Sequence, residues 1–370
     1  MTSPGSVLHV VVAGEVGGAE RMLVDLAGEP SERARRAHAV ALVTPSERLR
    51  ALLREAGLDV EDRGAAREGP LTYLVRSLGS ADVAWLEGII RRRRAGLVHL
   101  HTFGSQVVGT RAALRAGARV LRTEHSTRVY EDMSCWPFSR WSLQRADLAV
   151  CISEHVKRVA VARAPWASPV MRVVPNGVDV ERFDERPMTP RGSQEPVRLL
   201  ALGRLEPRKG IDVALRAVAR VPDVELDVVG DGPSRRDLEA LSSSLGIADR
   251  VRFRGYAEDV RGAIERSHLV VSSARSEGLG IALLEAMSMG RAVVASPTGG
   301  VPEIVRDGET GWLAADASEA ALAQRLRDAI ATPSEIVRRG SRARARVVDA
   351  FSVASMRAGY EGLYASLTER

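Results

Sequence analysis

The sequence predicts an α/β protein built from two doubly wound domains in tandem. Short apolar runs rich in Val, Leu and Ala alternate with helix-length stretches along the chain. The first of them, VLHVVVAG, is nearly continuous instead of alternating, as suits a strand covered on both faces of a parallel sheet. The alternation breaks once, at a segment rich in proline and charge, and then restarts. With 370 residues, 45% of them hydrophobic, the chain can bury two cores of ordinary size.

Taken in order, the strand candidates of the first half are 7–13 (VLHVVVA), 38–43 (HAVALV), 97–101 (LVHLH), 118–122 (ARVLR), 147–152 (DLAVCI) and 171–174 (MRVV). The helix candidate ADVAWLEGII ends in four arginines, 91–94. Cations there complement the helix dipole, so a structural cap is preferred to a lipid-binding patch. DERPMTPRGSQEP, 184–196, reads as a linker between domains 1–183 and 197–351. Beyond it the strand candidates are 197–203 (VRLLALG), 224–230 (VELDVVG), 251–255 (VRFRG), 268–274 (HLVVSSA) and 292–297 (AVVASP). From 318 onward the pattern is helical. Doubly wound domains bind ligands at the carboxyl ends of their strands, which places the expected site in a cleft between the two.

Composition narrows the class. No run of eighteen apolar residues and no charged-then-apolar leader is seen, so a soluble, cytoplasmic protein is expected. Cys135 and Cys151 have neither CxxC nor CxxH spacing and read as packed thiols. The net charge of +6 comes from arginines scattered among 47 acids, without a nucleic-acid-binding signature. Contact with phosphates or an anionic membrane is the milder reading. Of the 53 basic residues only Lys157 and Lys209 are lysines, which draws attention to both.

The chemistry concentrates in the second half. LALGRLEPRKG places Arg204 and Lys209 in a strand-to-helix loop, where two cations can hold phosphate oxygens; a solvated charged loop is the plainer alternative. SEGLGIALLEAMSMG, 276–290, carries Glu277 and Glu285 eight residues apart. Glu277 precedes the helix expected from about Gly280, and Glu285 lies inside it, so the two acids do not share one helical face. Gly278 and Gly280 let the backbone approach a ligand, and a helix start favours an anion. An anion site flanked by hydroxyl-binding carboxylates would suit a diphosphate carrying sugars. Ordinary helix-end and surface charges are the alternative reading.

These residues resemble the retaining glycosyltransferases of family four, which have the GT-B fold. SEGLGIALLEAMSMGRAVVASPTGGVPEIVRDGETGWL matches their donor-site segment, with Glu277 and Glu285 as its E-x7-E motif. GGAE (17–20), EH (124–125), VPNGVD (174–179), GRLEPRKG (203–210) and VGDGP (229–233) follow in the family order. The resemblance implies two Rossmann-like domains facing a cleft, with a C-terminal helix, 352–370, crossing back to the first. It implies a nucleotide-diphosphate sugar, of UDP or GDP type, as donor. Arg204 and Lys209 would grip the diphosphate, Glu285 the ribose and Glu277 the transferred sugar. Backbone around Gly278, Leu279, Gly280 and Ile281 would cradle the distal phosphate, approached by Gly17 and Gly18. His125 would face the sugar, and the base would lie near Gly230 and Arg254–Tyr256. Leu279 stands where phenylalanine is common, Ala292 where proline is, and an acid, Glu124, precedes His125; the last leaves the acceptor contacts open.

In such a site the departing diphosphate gains charge, and preorganised cations with a helix start would stabilise it. No D-x-D motif is present, so neither a metal nor a bound cofactor is expected. Retention is ascribed in this family to front-face attack. His99 and His101 lie two apart on one side of a strand. A metal clip needs more ligands and no third is evident nearby, so structure or acceptor lining is preferred. Four of the fifteen aromatics fall in VYEDMSCWPFSRW, 129–141, where core packing and sugar binding compete. His101, Glu124, Trp136 and Trp141 are the acceptor-side candidates. The acceptor is expected to be a carbohydrate, a lipid-linked carrier or a small molecule. Weak peripheral contact with the inner face of a membrane is expected, and no nucleic acid. Rival readings are a nucleotide-sugar epimerase of the same fold, a two-carboxylate glycosidase and a non-catalytic nucleotide-sugar-binding protein. The order of the motifs favours transfer over epimerisation, and the Arg/Lys pair disfavours a glycosidase. A dehydrogenase is least favoured, because GEVGG lacks G-x-G-x-x-G spacing.

Overall fold

A computed structural model of the chain describes residues 6–13, 18–28, 37–44, 46–64, 70–188 and 195–368. They divide into two compact units, one of Met1–Pro175 with Met356–Arg370 and one of Asn176–Ser355.

The first unit holds strands β1 (Ser6–Val12), β2 (His38–Val43), β3 (Asp59–Asp62), β4 (Ala95–Leu100), β5 (Arg119–Glu124), β6 (Leu148–Cys151) and β7 (Met171–Val173). They form one sheet ordered β3-β2-β1-β4-β5-β6-β7, and every pairing is parallel. Parallel neighbours require crossovers, and the helices supplying them cover both faces. Leu8 and Val10 of β1 pack with Val83, Leu86 and Ile89, while Val11 packs on the opposite face with Leu23, Leu49 and Leu53. This two-sided burial is why VLHVVVA reads as a continuous apolar run.

The second unit repeats the plan with β8 (Val197–Leu202), β9 (Val224–Val229), β10 (Val251–Gly255), β11 (Leu269–Ser272), β12 (Ala292–Ala295) and β13 (Gly311–Leu313), ordered β10-β9-β8-β11-β12-β13. Both orders are the 3-2-1-4-5-6 winding of dinucleotide-binding folds, extended in the first unit by β7. Two strands escaped the sequence reading, β3 and β13, and both lie at sheet edges. An edge strand is half-solvated: DVED carries three acids, and GWL has only three residues.

The linker expected at 184–196 lies partly outside the described residues. Its described start belongs to the second unit, where Ser288 Oγ donates to the Phe183 carbonyl at 2.7 Å and Arg291 to that of Arg186 at 2.8 Å. The division falls earlier, at Pro175–Asn176. Three helices close the chain: Glu319–Ile330, Pro333–Ala350 and Val353–Thr368. The last packs into the first unit. Tyr364 and Tyr360 reach His99 and Thr123 at 2.9 Å each, and Arg357 donates to the carbonyls of Asp25 and Gly28.

The arginines 91–94 act as expected of a cap. The helix runs Ala81–Arg93, Arg94 ends it at a left-handed φ of 50°, and Arg93 pairs with Asp59 and Glu61 of β3.

Candidate active site

In the second unit every candidate lies on a segment following a strand's carboxyl end, apart from Arg254, near the end of β10, and Glu285, inside a helix. After β8 the chain turns through Arg204, Glu206 and a short helical turn, Pro207–Lys209, before the helix Ile211–Ala219 begins. Glu206 organises the turn: one oxygen takes Arg204 at 2.7 Å and the other Arg208 at 2.8 Å. The loop after β11 lies against it. The amide of Arg275 donates to the Arg208 carbonyl at 2.8 Å, and the Arg275 guanidinium forks onto Asp212 at 2.6 and 2.7 Å.

This docking brings together two groups 68 residues apart. Lys209 Nζ lies 2.5 Å from Glu277 Oε2, and their side chains are only 20% and 17% exposed. The only lysine of this unit is thus set against the first acid of the E-x7-E pair. Glu285 is half-buried in the helix Ile281–Ser288, capped by Gly280 at φ 107°. The two acids therefore occupy different elements, as their spacing indicates. Leu279 is buried, so its side chain is closed to a ligand.

The backbone of Glu277 rests on the loop after β12. The amide of Gly300 donates to the Glu277 carbonyl at 3.0 Å, and a Cβ at Gly299, whose φ is 60°, would stand 1.8 Å from that oxygen. Gly299→Ala is therefore expected to destabilise the chain by at least about 1–2 kcal/mol, the left-handed backbone cost alone. A denaturant titration of the two proteins measures it. Gly230 is equally constrained: at φ 141° its Cβ would meet the Gly203 carbonyl at 1.9 Å, where the loops after β8 and β9 cross. Arg254 pairs with Asp227 of β9 at 3.1 Å, and Tyr256 beyond it is exposed.

In the first unit the candidates divide. Gly18 is the exposed first residue of the helix Gly18–Ala27, and Gly17 lies outside the described residues. The sequence places Glu124 on the acceptor side; in the structure its side chain is buried and engaged by Arg122 at 2.8 Å. Arg122, itself buried, also donates to the carbonyl and hydroxyl of Ser139. The pair supports the helix Trp136–Leu143. Trp136 and Trp141 on that helix are half-buried, stacked under Arg163 at 5.2 Å and Arg145 at 4.4 Å. Tyr130, by contrast, is core.

His101 and His125 directly follow β4 and β5, with ring centres 5.9 Å apart. Nδ1 of His101 and Nε2 of His125 are buried without hydrogen-bond partners among the described residues. A third imidazole does lie beside His99 and His101, contrary to the expectation that none was near: His9 of β1, in register with His99 on the adjacent strand. Sequence spacing misses it because the two strands are ninety residues apart and meet only through the crossover. Ligand atoms of the three lie within 4.8 Å of one another. His99, however, uses both nitrogens, on Tyr364 at 2.9 Å and Thr123 at 2.7 Å, and His9 uses both on His38 and His101. The cluster thus reads as a hydrogen-bonded ladder.

Burial in low dielectric disfavours the imidazolium. It pushes His125 down to about 4 and holds His9, His99 and His101 well below 6.5. Between pH 6.5 and 4 the unfolded chain binds more protons than the folded one, so stability falls as pH falls through that window. Each such histidine contributes up to about 1.4 kcal/mol per pH unit. Urea midpoints at pH 7 and pH 5 are expected to differ accordingly, with a smaller difference in His125→Asn.

Comparison with known proteins agrees with this architecture. The model "Glycosyltransferase Family 4" matches residues 16–182 and "Glycosyl transferases group 1" matches 185–346. A UDP complex of HepE from Anabaena superposes with a TM-score of 0.83 at 22% identity, covering 98% of this chain and 100% of that one. Fold and domain matches together define a GT-B glycosyltransferase. The chain belongs to glycosyltransferase family 4.

Among its relatives is a GDP-mannose-dependent α-(1-6)-phosphatidylinositol monomannoside mannosyltransferase of Mycolicibacterium smegmatis, 35% identical over 60% of this chain and 63% of that protein. Another is a phosphatidylinositol N-acetylglucosaminyltransferase component from Arabidopsis thaliana, 30% identical over 59% of this chain and 51% of that protein. These matches span little more than half the relatives' lengths. Among the described residues no helix is long and apolar enough to cross a membrane.

Proposed function

We propose that the chain transfers a hexose from a UDP- or GDP-linked donor to a hydroxyl acceptor with retention of anomeric configuration. The observation that carries this reading is the Lys209–Glu277 pair, held where the loops after β8 and β11 dock. A diphosphate arriving there would exchange places with the Glu277 carboxylate at Lys209 and gain Arg204, half-exposed beside it. Glu277, so released, is an acceptor-only group suited to sugar hydroxyls. Glu285 is proposed for the ribose, and the Gly278–Ile281 backbone for the distal phosphate. His125, Gly17 and Gly18 belong to the same proposal through the family resemblance, as does a base site near Gly230, Arg254 and Tyr256.

Several features support transfer. Negative charge develops on the leaving diphosphate, and Lys209, Arg204 and the helix start at Gly280 are fixed before it arrives. The HepE structure that shares this fold contains UDP. The mycobacterial relative is named for GDP-mannose, so both nucleotide types remain within the proposal. The two relatives act, by their names, on phosphatidylinositol-based acceptors, which favours a lipid-linked or polyol acceptor and peripheral contact with the inner face of a membrane.

A thermal-shift screen of UDP, GDP and their sugar conjugates tests the donor reading. One nucleotide series is expected to stabilise the chain, by about 2.7 kcal/mol at a hundred times its dissociation constant. No shift with any nucleoside diphosphate would remove the basis of the proposal. Product anomer analysis by NMR then decides retention.

A further inference from the structure

Five of the seven histidines, His9, His38, His99, His101 and His125, stand side by side across the first sheet. Three of them form a chain that begins at a carboxylate. Glu361, on the helix Val353–Thr368, places Oε1 3.8 Å from His38 Nε2. His38 Nδ1 lies 2.8 Å from His9 Nε2, and His9 Nδ1 lies 2.8 Å from His101 Nε2.

A neutral imidazole carries one proton, so each link fixes the next. At 3.8 Å the Glu361 carboxylate is too far for a hydrogen bond, but its charge favours a proton on the facing nitrogen of His38, Nε2. His38 Nδ1 is then a bare lone pair and takes the Nε2–H of His9. His9 Nδ1, bare in turn, takes the Nε2–H of His101. With His38 neutral, the opposite direction would set a ring lone pair toward the carboxylate. Buried surroundings keep His9 and His101 neutral, and the relay in this direction requires a neutral His38 as well.

The chain of protons therefore ends at His101 Nδ1 as an unprotonated nitrogen, buried and without a partner among the described residues. His101 itself is 3% exposed. Near it in sequence, on the helix Phe103–Ala116, Gln106 is 5% exposed and its Oε1 is likewise buried and unpartnered. Both orphaned atoms are acceptors. Buried acceptors are costly to leave unsatisfied, and a hydroxyl ligand supplies the missing donor.

We propose that His101 Nδ1 accepts a hydrogen bond from a hydroxyl of the sugar-accepting substrate, with Glu361, His38 and His9 as positioning residues that set its tautomer. The proposal rests on the glycosyltransferase reading above for the identity of that substrate, and it assigns His101 a polarity that the family resemblance does not contain. A substrate group able only to accept, such as an ether or ester oxygen, would be refused at this point.

The test uses the full chain with nitrogen-15-labelled histidine and long-range proton–nitrogen correlation spectra, which report the tautomer of each ring. His101→Gln identifies the His101 signals. His101 and His9 are expected in the Nε2–H form, and Glu361→Gln, whose amide can donate or accept, is expected to give mixed tautomers; Glu361→Ala, which removes the carboxylate, is the substitute if that variant does not fold. Glycerol and myo-inositol, as hydroxyl probes, are expected to shift the His101 Nδ1 resonance in the hydrogen-bonded direction. A protonated His101 Nδ1 in the parent protein, or an unchanged tautomer after the Glu361 substitutions, overturns the relay. An Nδ1 resonance that neither polyol moves overturns the hydroxyl role. Nucleotide binding is read separately by thermal shift, so failure of the donor reading and failure of this inference are distinguishable.

Discussion

Lys209→Ala is expected to reduce sugar transfer by about two to three orders of magnitude, the usual cost of losing one preorganised group from a site of developing negative charge. Two effects combine. The substitution removes an ammonium fixed 2.5 Å from Glu277, and it leaves that carboxylate, 17% exposed, without its counter-charge. The loss should appear in kcat as well as KM, because charge on the diphosphate is greatest in the transition state. Lys209→Arg should recover only part of it: a planar fork does not occupy the place of a compact ammonium. Donor turnover within about threefold of the parent, less than about 0.7 kcal/mol, would show that Lys209 is not a leaving-group residue.

The second large effect is one of stability. Glu124→Ala is expected to destabilise the chain by about 3–5 kcal/mol, the cost of leaving a buried charge unpaired. Arg122 has no exposed surface and would keep only its bonds to Ser139. Glu124→Gln retains an acceptor oxygen and should cost less. Urea unfolding of the three proteins measures the series. An alanine variant as stable as the parent would show that the Arg122–Glu124 pair carries no stability.

Glu124 also illustrates what a linear reading misses. Its position at the end of a strand makes it a candidate for the acceptor, but its partner Arg122 lies two residues earlier and points to the same side of β5. Whether such an acid faces solvent or a guanidinium depends on the Trp136–Leu143 helix packed over it. The main strands were legible because burial on both faces makes them apolar throughout. DVED and GWL were not, since edge strands lack that signature. Lys209 and Glu277 were each singled out from loop position and residue type. Their meeting was not, because it depends on the docking of two loops from different crossovers. His9 was overlooked for the same reason: register across β1 and β4 is a tertiary property.

The helix Val353–Thr368 sets an order of events during synthesis. Its tyrosines hold His99 and Thr123, and its Glu361 stands beside His38, so strands made early gain contacts from residues made much later. A nascent chain can complete the second unit first, since 176–355 contains all of it. The first sheet lies wholly within 1–175, but the contacts that Tyr360, Glu361 and Tyr364 make with it form only once that helix has emerged.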